Sequence, residues 1–225
     1  MLYDRVMNIR DSLLSILDRF IFNEQCISCN MPGLAVCKKC IMSLPGPQHD
    51  LPNNIYALFE YRNKVVKKIL TDAKYRNKFS GLKLFGPYLA DSILEIISEY
   101  TELNNYSRII LVPVPISNKR LKKRGYNQAE IIAKNLIQNS KESYILGNKI
   151  VQKIIEKTPQ ASIHNKKDRL KSPIGTFKII SNKIVPQSLC IIVDDIVTTG
   201  ATISELRRIL IVSGAQTVIG LTIAH

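Results

Sequence analysis

Two adjacent aspartates followed by a loop of small residues form the stretch of this sequence best suited to chemistry. The apolar run 189–193 leads into Asp194 and Asp195, and the segment 198–202 then reads Thr-Thr-Gly-Ala-Thr. Unpaired backbone N–H groups at the start of a helix bind anions, and small side chains let a phosphate approach them. Carboxylates only accept hydrogen bonds, which suits the vicinal hydroxyls of a sugar. Either part alone could merely cap a helix or solvate a turn, but together they predict a site for a ribose 5-phosphate.

Four of the five cysteines form two closely spaced pairs, Cys26 with Cys29 and Cys37 with Cys40. Two intervening residues allow both sulfurs of a pair to bind one tetrahedral ion at about 2.3 Å. Two such pairs predict a closed structural Zn²⁺ site with no open coordination position. Two disulfides or reactive thiols are the alternatives, and the lack of an export signal disfavours the disulfides. Cys190 lies in a predicted buried strand and is interpreted as a small apolar residue.

Composition and charge narrow the class of protein. The chain has 225 residues, of which 45% are hydrophobic and 22% charged, and this composition argues against disordered and fibrous proteins. The 32 lysines and arginines exceed the 18 acidic residues and give a net charge of +14, which favours polyanionic partners such as nucleic acid, nucleotides or anionic lipid. No apolar run approaches the roughly 18 residues of a membrane span, and charges interrupt any secretory signal. We therefore expect a cytoplasmic protein.

Residues 1–21 have the spacing of an amphipathic helix. The apolar positions recur at steps of four and three residues: Leu2, Val6, Ile9, Leu13, Ile16 and Phe20. The favoured interpretation is a helix that docks on its own protein or on a dimer mate. A membrane-surface helix is the alternative, and the mixed signs of its polar face disfavour it.

The rest of the chain is predicted to be an α/β protein. Helices are predicted over 62–78, 81–99, 127–139 and 202–212, and strands over 108–114, 150–155, 176–180, 189–193 and 217–224. Apolar strands alternating with helices indicate a mostly parallel sheet covered on both faces, with ligands bound at the carboxyl ends of its strands. The proline-rich stretch 43–54 reads as a linker. The predicted parts are therefore a helix at 1–21, a zinc module at 22–50 and the larger domain at 51–225.

The segment around the aspartates resembles the phosphoribosyl pyrophosphate (PRPP) loop of type I phosphoribosyltransferases. Other stretches narrow the resemblance to the ComF family of competence proteins: the double C-x-x-C, V-P-V-P at 112–115 followed by R-G-Y-N-Q-A-E at 124–130, and T-P-Q-A at 158–161 leading to Arg169 and G-T-F at 175–177. One departure is Ser172-Pro173, where the family usually has an asparagine shortly after its arginine. The resemblance implies a type I phosphoribosyltransferase-like fold and a role in DNA uptake during natural transformation.

The resemblance also assigns roles to individual residues. It implies that Asp194 and Asp195 hold the ribose hydroxyls, and that Lys119 and Arg120 lie near the pyrophosphate, which carries Mg²⁺. Residues 157–171 would form a loop that closes over the site in active relatives. The 5-phosphate loop would consist of Thr198, Thr199, Gly200, Ala201 and Thr202.

Positive charge is concentrated in the middle of the chain. Residues 117–171 contain 14 lysines and arginines against four acidic residues, and 119–124 alone contains five cations. A solvated charged face is one interpretation; the other is a basic surface for PRPP phosphates and for a nucleic-acid backbone. Tyr126 and Tyr144 are the only aromatic residues of this region, so sequence-specific readout is disfavoured and weak single-stranded DNA binding is the form expected.

Three hypotheses follow for the function. The first is a ComF-like protein that binds PRPP or a related ribose 5-phosphate and works with competence proteins. The second is an active phosphoribosyltransferase, a glycosyltransferase of nucleotide metabolism or salvage. The third is a non-catalytic PRPP or nucleotide sensor that also binds single-stranded DNA.

Overall fold

The computed structural model describes residues 25–49, 51–52, 54–76, 79–154, 175–181 and 186–225. The predicted helix at 1–21 and the predicted closing loop at 157–171 lie outside these residues. None of the helices in the described ranges is long and apolar enough to cross a membrane.

A five-stranded parallel sheet forms the centre of the protein. The strands in the described residues are β1 (Ile55–Phe59), β2 (Arg108–Pro113), β3 (Ile145–Leu146), β4 (Val151–Lys153), β5 (Phe177–Ile179), β6 (Ser188–Ile196) and β7 (Thr217–Ala224). The central sheet has the order β1-β7-β6-β2-β3, and every neighbouring pair in it is parallel. Strands β4 and β5 form a separate antiparallel pair.

Helices and the small β4-β5 pair cover the two faces of this sheet. Within the ranges that the structure describes, the helices are α1 (Lys38–Met42), α2 (Lys64–Tyr75), α3 (Ser80–Leu84), α4 (Gly86–Leu103), α5 (Asn118–Arg124), α6 (Gln128–Asn139) and α7 (Ala201–Val212). Side chains alternate along a strand, and in β6 Ile191 and Val193 pack with α2, α4 and α6, whereas Cys190 and Ile192 pack with α7 and the β4-β5 pair. The predicted fold class, a mostly parallel α/β sheet flanked by helices, is confirmed.

The sheet has a consistent register at its carboxyl end. Val112 of β2 lies opposite Ile192 of β6, and Asp194 of β6 lies opposite Thr222 of β7. The carboxyl ends of β2 and β6 therefore lie side by side. The segments that follow these two strands meet there, and they contain most of the residues predicted to bind a ligand.

The cysteine-containing segment packs against the main body of the protein. Cys26, Val36 and Ile41 are buried in the same apolar cluster as Phe59 of β1 and Phe85, which precedes α4. The predicted boundary near residue 50 falls between α1 and β1, but the core is continuous across it.

Candidate functional site

A cleft of about 360 Å³ opens where the carboxyl ends of β2 and β6 meet. Five of the residues predicted to bind substrate line it: Arg120, Asp194, Asp195, Thr198 and Thr202. The structure therefore places these residues in one cavity although they come from two distant parts of the sequence. Lys119 is not among the lining residues; it is exposed on α5. Thr199, Gly200 and Ala201 complete the turn between Thr198 and Thr202.

Each aspartate of the pair accepts a hydrogen bond from the backbone of the next residue. The Asp195 N–H donates to Asp194 Oδ1 at 2.9 Å, and the Ile196 N–H donates to Asp195 Oδ1 at 3.0 Å. Lys74 Nζ of α2 lies 3.8 Å from Asp195 Oδ2. Burial, and next the charge of Asp195, raise the pKa of Asp194 well above its usual range. Hydroxyl donors or a cation would stabilise the charged form of this pair, so the pair suits a diol or a metal-bound ligand.

The loop after β6 leads into helix α7 through a glycine at the cap position. Gly200 has a φ of +72° and occupies this position, and the hydroxyl of Thr199 before it accepts from the Ala201 N–H at 3.5 Å. The backbone carbonyl of Thr198 lies 3.3 Å from His225 Nε2, and the Val197 N–H donates to the Ala224 carbonyl at 2.9 Å. These contacts hold the loop against the end of β7. The first-turn N–H groups of α7 therefore have the arrangement that binds an anion.

The opposite wall of the cleft comes from α5, the start of α6 and the turn after β2. Asn127 caps α6 by accepting from the Ala129 N–H at 3.2 Å, and its Nδ2 donates to the Val114 carbonyl at 3.0 Å. Because one side chain makes both bonds, it fixes the helix start against the turn. Arg124 and Gln128 lie on either side of this cap and line the cleft.

The described lining of the cleft contains four cationic and two acidic side chains. The cations are Lys74, Arg120, Arg124 and Lys153. Sequence reasoning did not name Lys74, Gln128 and Lys153 as site residues, although Gln128 belongs to the R-G-Y-N-Q-A-E stretch. It included Arg124 only in the basic stretch 119–124, for which a surface for PRPP phosphates was one of two interpretations. An excess of positive charge in a cleft attracts ligands with several negative charges. This composition fits a ligand with more than one phosphate group.

The four cysteines of the two C-x-x-C motifs lie together, as their spacing predicts. The sulfur atoms of Cys26, Cys29, Cys37 and Cys40 all lie within 4.8 Å of one another, and Cys29 Sγ is 3.7 Å from Cys37 Sγ. A tetrahedral ion with bonds of about 2.3 Å to sulfur separates its ligands by roughly 3.8 Å. All four are free cysteines. The cluster therefore has the donor set and spacing to hold a metal ion.

Hydrogen bonds from backbone N–H groups favour a thiolate in this cluster. Burial opposes ionisation of Cys26, but hydrogen bonds from the N–H groups of Cys37, Cys29 and Ser28 lower the pKa of its thiol to about 6. Although a hydrogen bond from Ser28 lowers the pKa of Cys40, the neighbouring thiols of Cys37 and Cys29 raise it to about 12. Cys26 therefore ionises readily, whereas its neighbours oppose the ionisation of Cys40. A bound cation would offset the repulsion between two thiolates.

The chain is similar to several curated competence proteins. It is 29% identical over 162 residues to competence protein ComFC of Streptococcus pneumoniae, covering 72% of this chain and 64% of the relative. It is 28% identical over 152 residues to ComFC of Bacillus subtilis, covering 68% and 56%. It is 30% identical over 101 residues to competence protein F of Haemophilus influenzae, covering 44% and 43%. The chain thus spans less than two thirds of the length of these relatives.

The similarity of the chain to solved structures is weaker. A solved structure of a hypoxanthine-guanine phosphoribosyltransferase from Bacillus anthracis matches with a TM-score of 0.35 and 14% identity, covering 63% of this chain and 66% of that one. No protein-family model matches the chain.

Proposed function

Since the chain is a ComF-family protein, we propose that its main domain is phosphoribosyltransferase-like and that its cleft binds PRPP or a related ribose 5-phosphate. One observation carries this proposal: the acidic pair, the start of α7 and a cluster of cations line the same cleft. The cleft volume of about 360 Å³ lies in the range of small-molecule sites. Each chemical part of the ligand then has complementary protein groups within one cavity.

The proposed roles follow from donor and acceptor chemistry. Asp194 and Asp195 accept hydrogen bonds from the ribose hydroxyls, the loop 198–202 binds the 5-phosphate through its backbone, and Arg120 neutralises the pyrophosphate. Mg²⁺, bound with the pyrophosphate, would spread the negative charge of the leaving group. The two carboxylates supply the oxygen ligands that Mg²⁺ prefers, so the residues of the cleft fit this ion.

Replacement of Asp195 by Asn tests the proposal. Asp195→Asn removes the charge that receives the ribose hydroxyls while keeping the shape of the side chain. Hydrogen bonds to charged groups are worth about 1.5–3 kcal/mol, so the affinity for PRPP measured by calorimetry with Mg²⁺ is expected to fall by roughly 10- to 100-fold. Asp91→Asn on the exposed side of α4 is the matched control and should bind PRPP as the unmodified protein does. Equal affinity of Asp195→Asn and the unmodified protein would refute the proposed ribose contact.

Pyrophosphate release separates two forms of this function. With a panel of bases and amines, release of pyrophosphate from PRPP identifies an active phosphoribosyltransferase. Binding of PRPP without release across the panel identifies a sensor that has kept the site without turnover.

We further propose that helix α5 binds the backbone of single-stranded DNA. Five of its seven residues are cationic, and none of its side chains is buried. Such a surface supplies electrostatic attraction without reading sequence. The role of the protein in natural transformation is proposed from the names of its relatives, and a DNA-binding surface is compatible with it.

The triple variant Lys119→Ala/Lys122→Ala/Lys123→Ala tests the DNA surface. Each lost phosphate contact on a single strand lowers the slope of log affinity against log salt by about 0.7, so we expect a total decrease of about 2. Fluorescence anisotropy with a labelled oligonucleotide measures this slope. The control triple Lys64→Ala/Lys67→Ala/Lys83→Ala removes equal charge from exposed positions of α2 and α3 and should keep the slope. Identical slopes in the two triples would contradict a DNA surface on α5.

We also propose that the four-cysteine cluster binds a structural Zn²⁺ ion and that the protein acts in the cytoplasm. Four sulfur ligands with no oxygen or nitrogen donor favour zinc over the harder divalent cations. Cysteines that remain free thiols, and so can bind a metal instead of forming disulfides, are typical of a reducing compartment.

A further inference from the structure

Gln128 is a buried side chain of the cleft to which the proposed function gives no role. It is 4% exposed and lines the cleft as the first residue of α6. Its Nε2 has no hydrogen-bond partner among the residues that the structure describes. A buried amide that lacks a partner is costly, so an unpaired donor on a side chain that lines a cleft indicates a ligand atom that accepts from it.

Arg124 fixes which way the Gln128 amide points. Arg124 Nη1 donates to Gln128 Oε1 at 3.3 Å. A guanidinium group has only donors, so the amide oxygen must lie toward it and the NH₂ group must lie on the other side. The orientation of the amide therefore follows from the protein itself, and the group that is left without a partner among the described residues is a donor.

The surroundings of Gln128 favour an anion as the acceptor. Arg120, Arg124 and Lys153 line the cleft together with Gln128. Asn127 already occupies the cap of α6, a helix of 12 residues whose start carries positive partial charge. The acidic residue of the first turn, Glu130, is bound to Lys134 at 2.7 Å and to Asn148 at 3.0 Å, and it does not line the cleft.

We propose that Gln128 Nε2 donates a hydrogen bond to the diphosphate group of the ligand and thereby distinguishes PRPP from ribose 5-phosphate. This inference rests on the proposed function, because it assigns one end of the same ligand. The loop 198–202 is the site of the 5-phosphate, so the second group of donors, at α6, serves the diphosphate on the other end of the ribose. Gln128 is a specificity-determining residue: it contacts a group that only one of the two ligands carries.

The Gln128→Leu variant tests the assignment with three probes. Calorimetry with Mg²⁺ measures the affinities for PRPP, inorganic pyrophosphate and ribose 5-phosphate. Leucine has a similar volume and no donor, so PRPP and pyrophosphate are expected to bind at least tenfold more weakly, and ribose 5-phosphate within twofold of the unmodified protein. Gln128→Glu replaces the donor by a charged acceptor while keeping a partner for Arg124, and it should weaken pyrophosphate binding further. Gln138→Leu, at an exposed position of the same helix, is the matched control.

Each result decides the inference. Equal losses for all three probes, or no loss for any of them, would overturn it even if PRPP binds the unmodified protein. If the unmodified protein binds none of the probes, the proposed function fails and the inference fails with it. Should Gln128→Leu not fold, as judged from its thermal transition, the difference between the probes in Gln128→Glu decides in the same way.

Discussion

Removal of the proposed zinc ion from the four-cysteine cluster is expected to unfold residues 25–42 and to destabilise the whole protein. This segment contains one helix of five residues and one isolated bridge between Gln25 and Pro32, so it has little secondary structure of its own. Structural zinc sites of this kind contribute about 10–16 kcal/mol of binding free energy, which is folding free energy for such a segment.

The effect is expected to reach the main body because the segment shares its core. Val36 and Ile41 are almost fully buried in the cluster that contains Phe59 and Phe85. Exposure of an aliphatic side chain of this size costs about 1.5–3 kcal/mol, so the loss of two costs about 3–6 kcal/mol. For a chain of this length each kcal/mol shifts the melting temperature by about 2–4 °C. We therefore expect chelation to lower the melting temperature by roughly 10 °C.

Metal content and limited proteolysis measure this result. The purified protein should contain one zinc per chain, and after chelation a protease should cut within 25–42 before it cuts the sheet. Cys40→Ser should reproduce the effect, whereas Cys190→Ala, which removes the cysteine outside the cluster, should retain the metal. A metal-free protein with unchanged melting temperature and unchanged protection of 25–42 would refute the structural role of zinc.

The elements that sequence reasoning found are those with a strong apolar pattern. The run 189–193 predicted β6, and the structure extends this strand to Ile196. The strand continues through both aspartates because Asp194 and Ile196 still pair with β7, and tertiary pairing overrides the low strand preference of aspartate. In place of the single helix predicted over 81–99, the structure has two helices, α3 and α4. They are separated at the buried Phe85, and a proline lies in the first turn of α4.

The elements that sequence reasoning missed lack a strong apolar pattern. Helix α5 has no buried side chain, so apolar periodicity could not reveal it. Its two ends do carry signals, since Ser117 caps it by accepting from the Arg120 N–H and Gly125 ends it with a φ of +79°. Strand β1 follows directly after the proline-rich stretch that was interpreted as a linker, and it pairs with β7, about 165 residues away along the chain.

Sequence reasoning found the part of the candidate site that lies in one short stretch and missed the part that comes from distant elements. Asp194, Asp195 and the loop 198–202 lie within nine residues, so their chemistry is visible in one short stretch of sequence. Lys74 and Lys153 come from distant elements and enter the cleft through the packing of α2 and β4 against the sheet. No local pattern predicts such residues. Whether any of them binds a ligand stays a prediction.

Replacement of Gly200 by alanine is expected to damage the phosphate loop directly. Gly200 has a φ of +72°, and a Cβ atom there would lie 3.0 Å from Ile55 Cδ1 and 3.2 Å from Pro52 Cγ. An L-residue in this backbone conformation costs about 1–2 kcal/mol. The two close contacts would in addition push the loop by a few tenths of an ångström, because Ile55 is held in the core and the proline ring is rigid.

Gly214 provides a matched control at the other end of α7. Its φ is +105°, so Gly214→Ala also places a side chain in an unfavourable backbone conformation, but no atom lies within 4 Å of the added Cβ. Both variants should therefore lose a similar amount of stability from the backbone. Only Gly200→Ala should also displace the N–H groups at the start of α7.

Calorimetry with ribose 5-phosphate separates these two effects. Loss of one hydrogen bond from the backbone to a charged phosphate costs about 1.5–3 kcal/mol, so Gly200→Ala is expected to weaken binding by roughly 10- to 100-fold. Gly214→Ala should bind within twofold of the unmodified protein, since the cleft is untouched. If Gly200→Ala binds ribose 5-phosphate as well as Gly214→Ala does, the start of α7 does not hold the phosphate, because a backbone anion site cannot lose its geometry and keep its affinity.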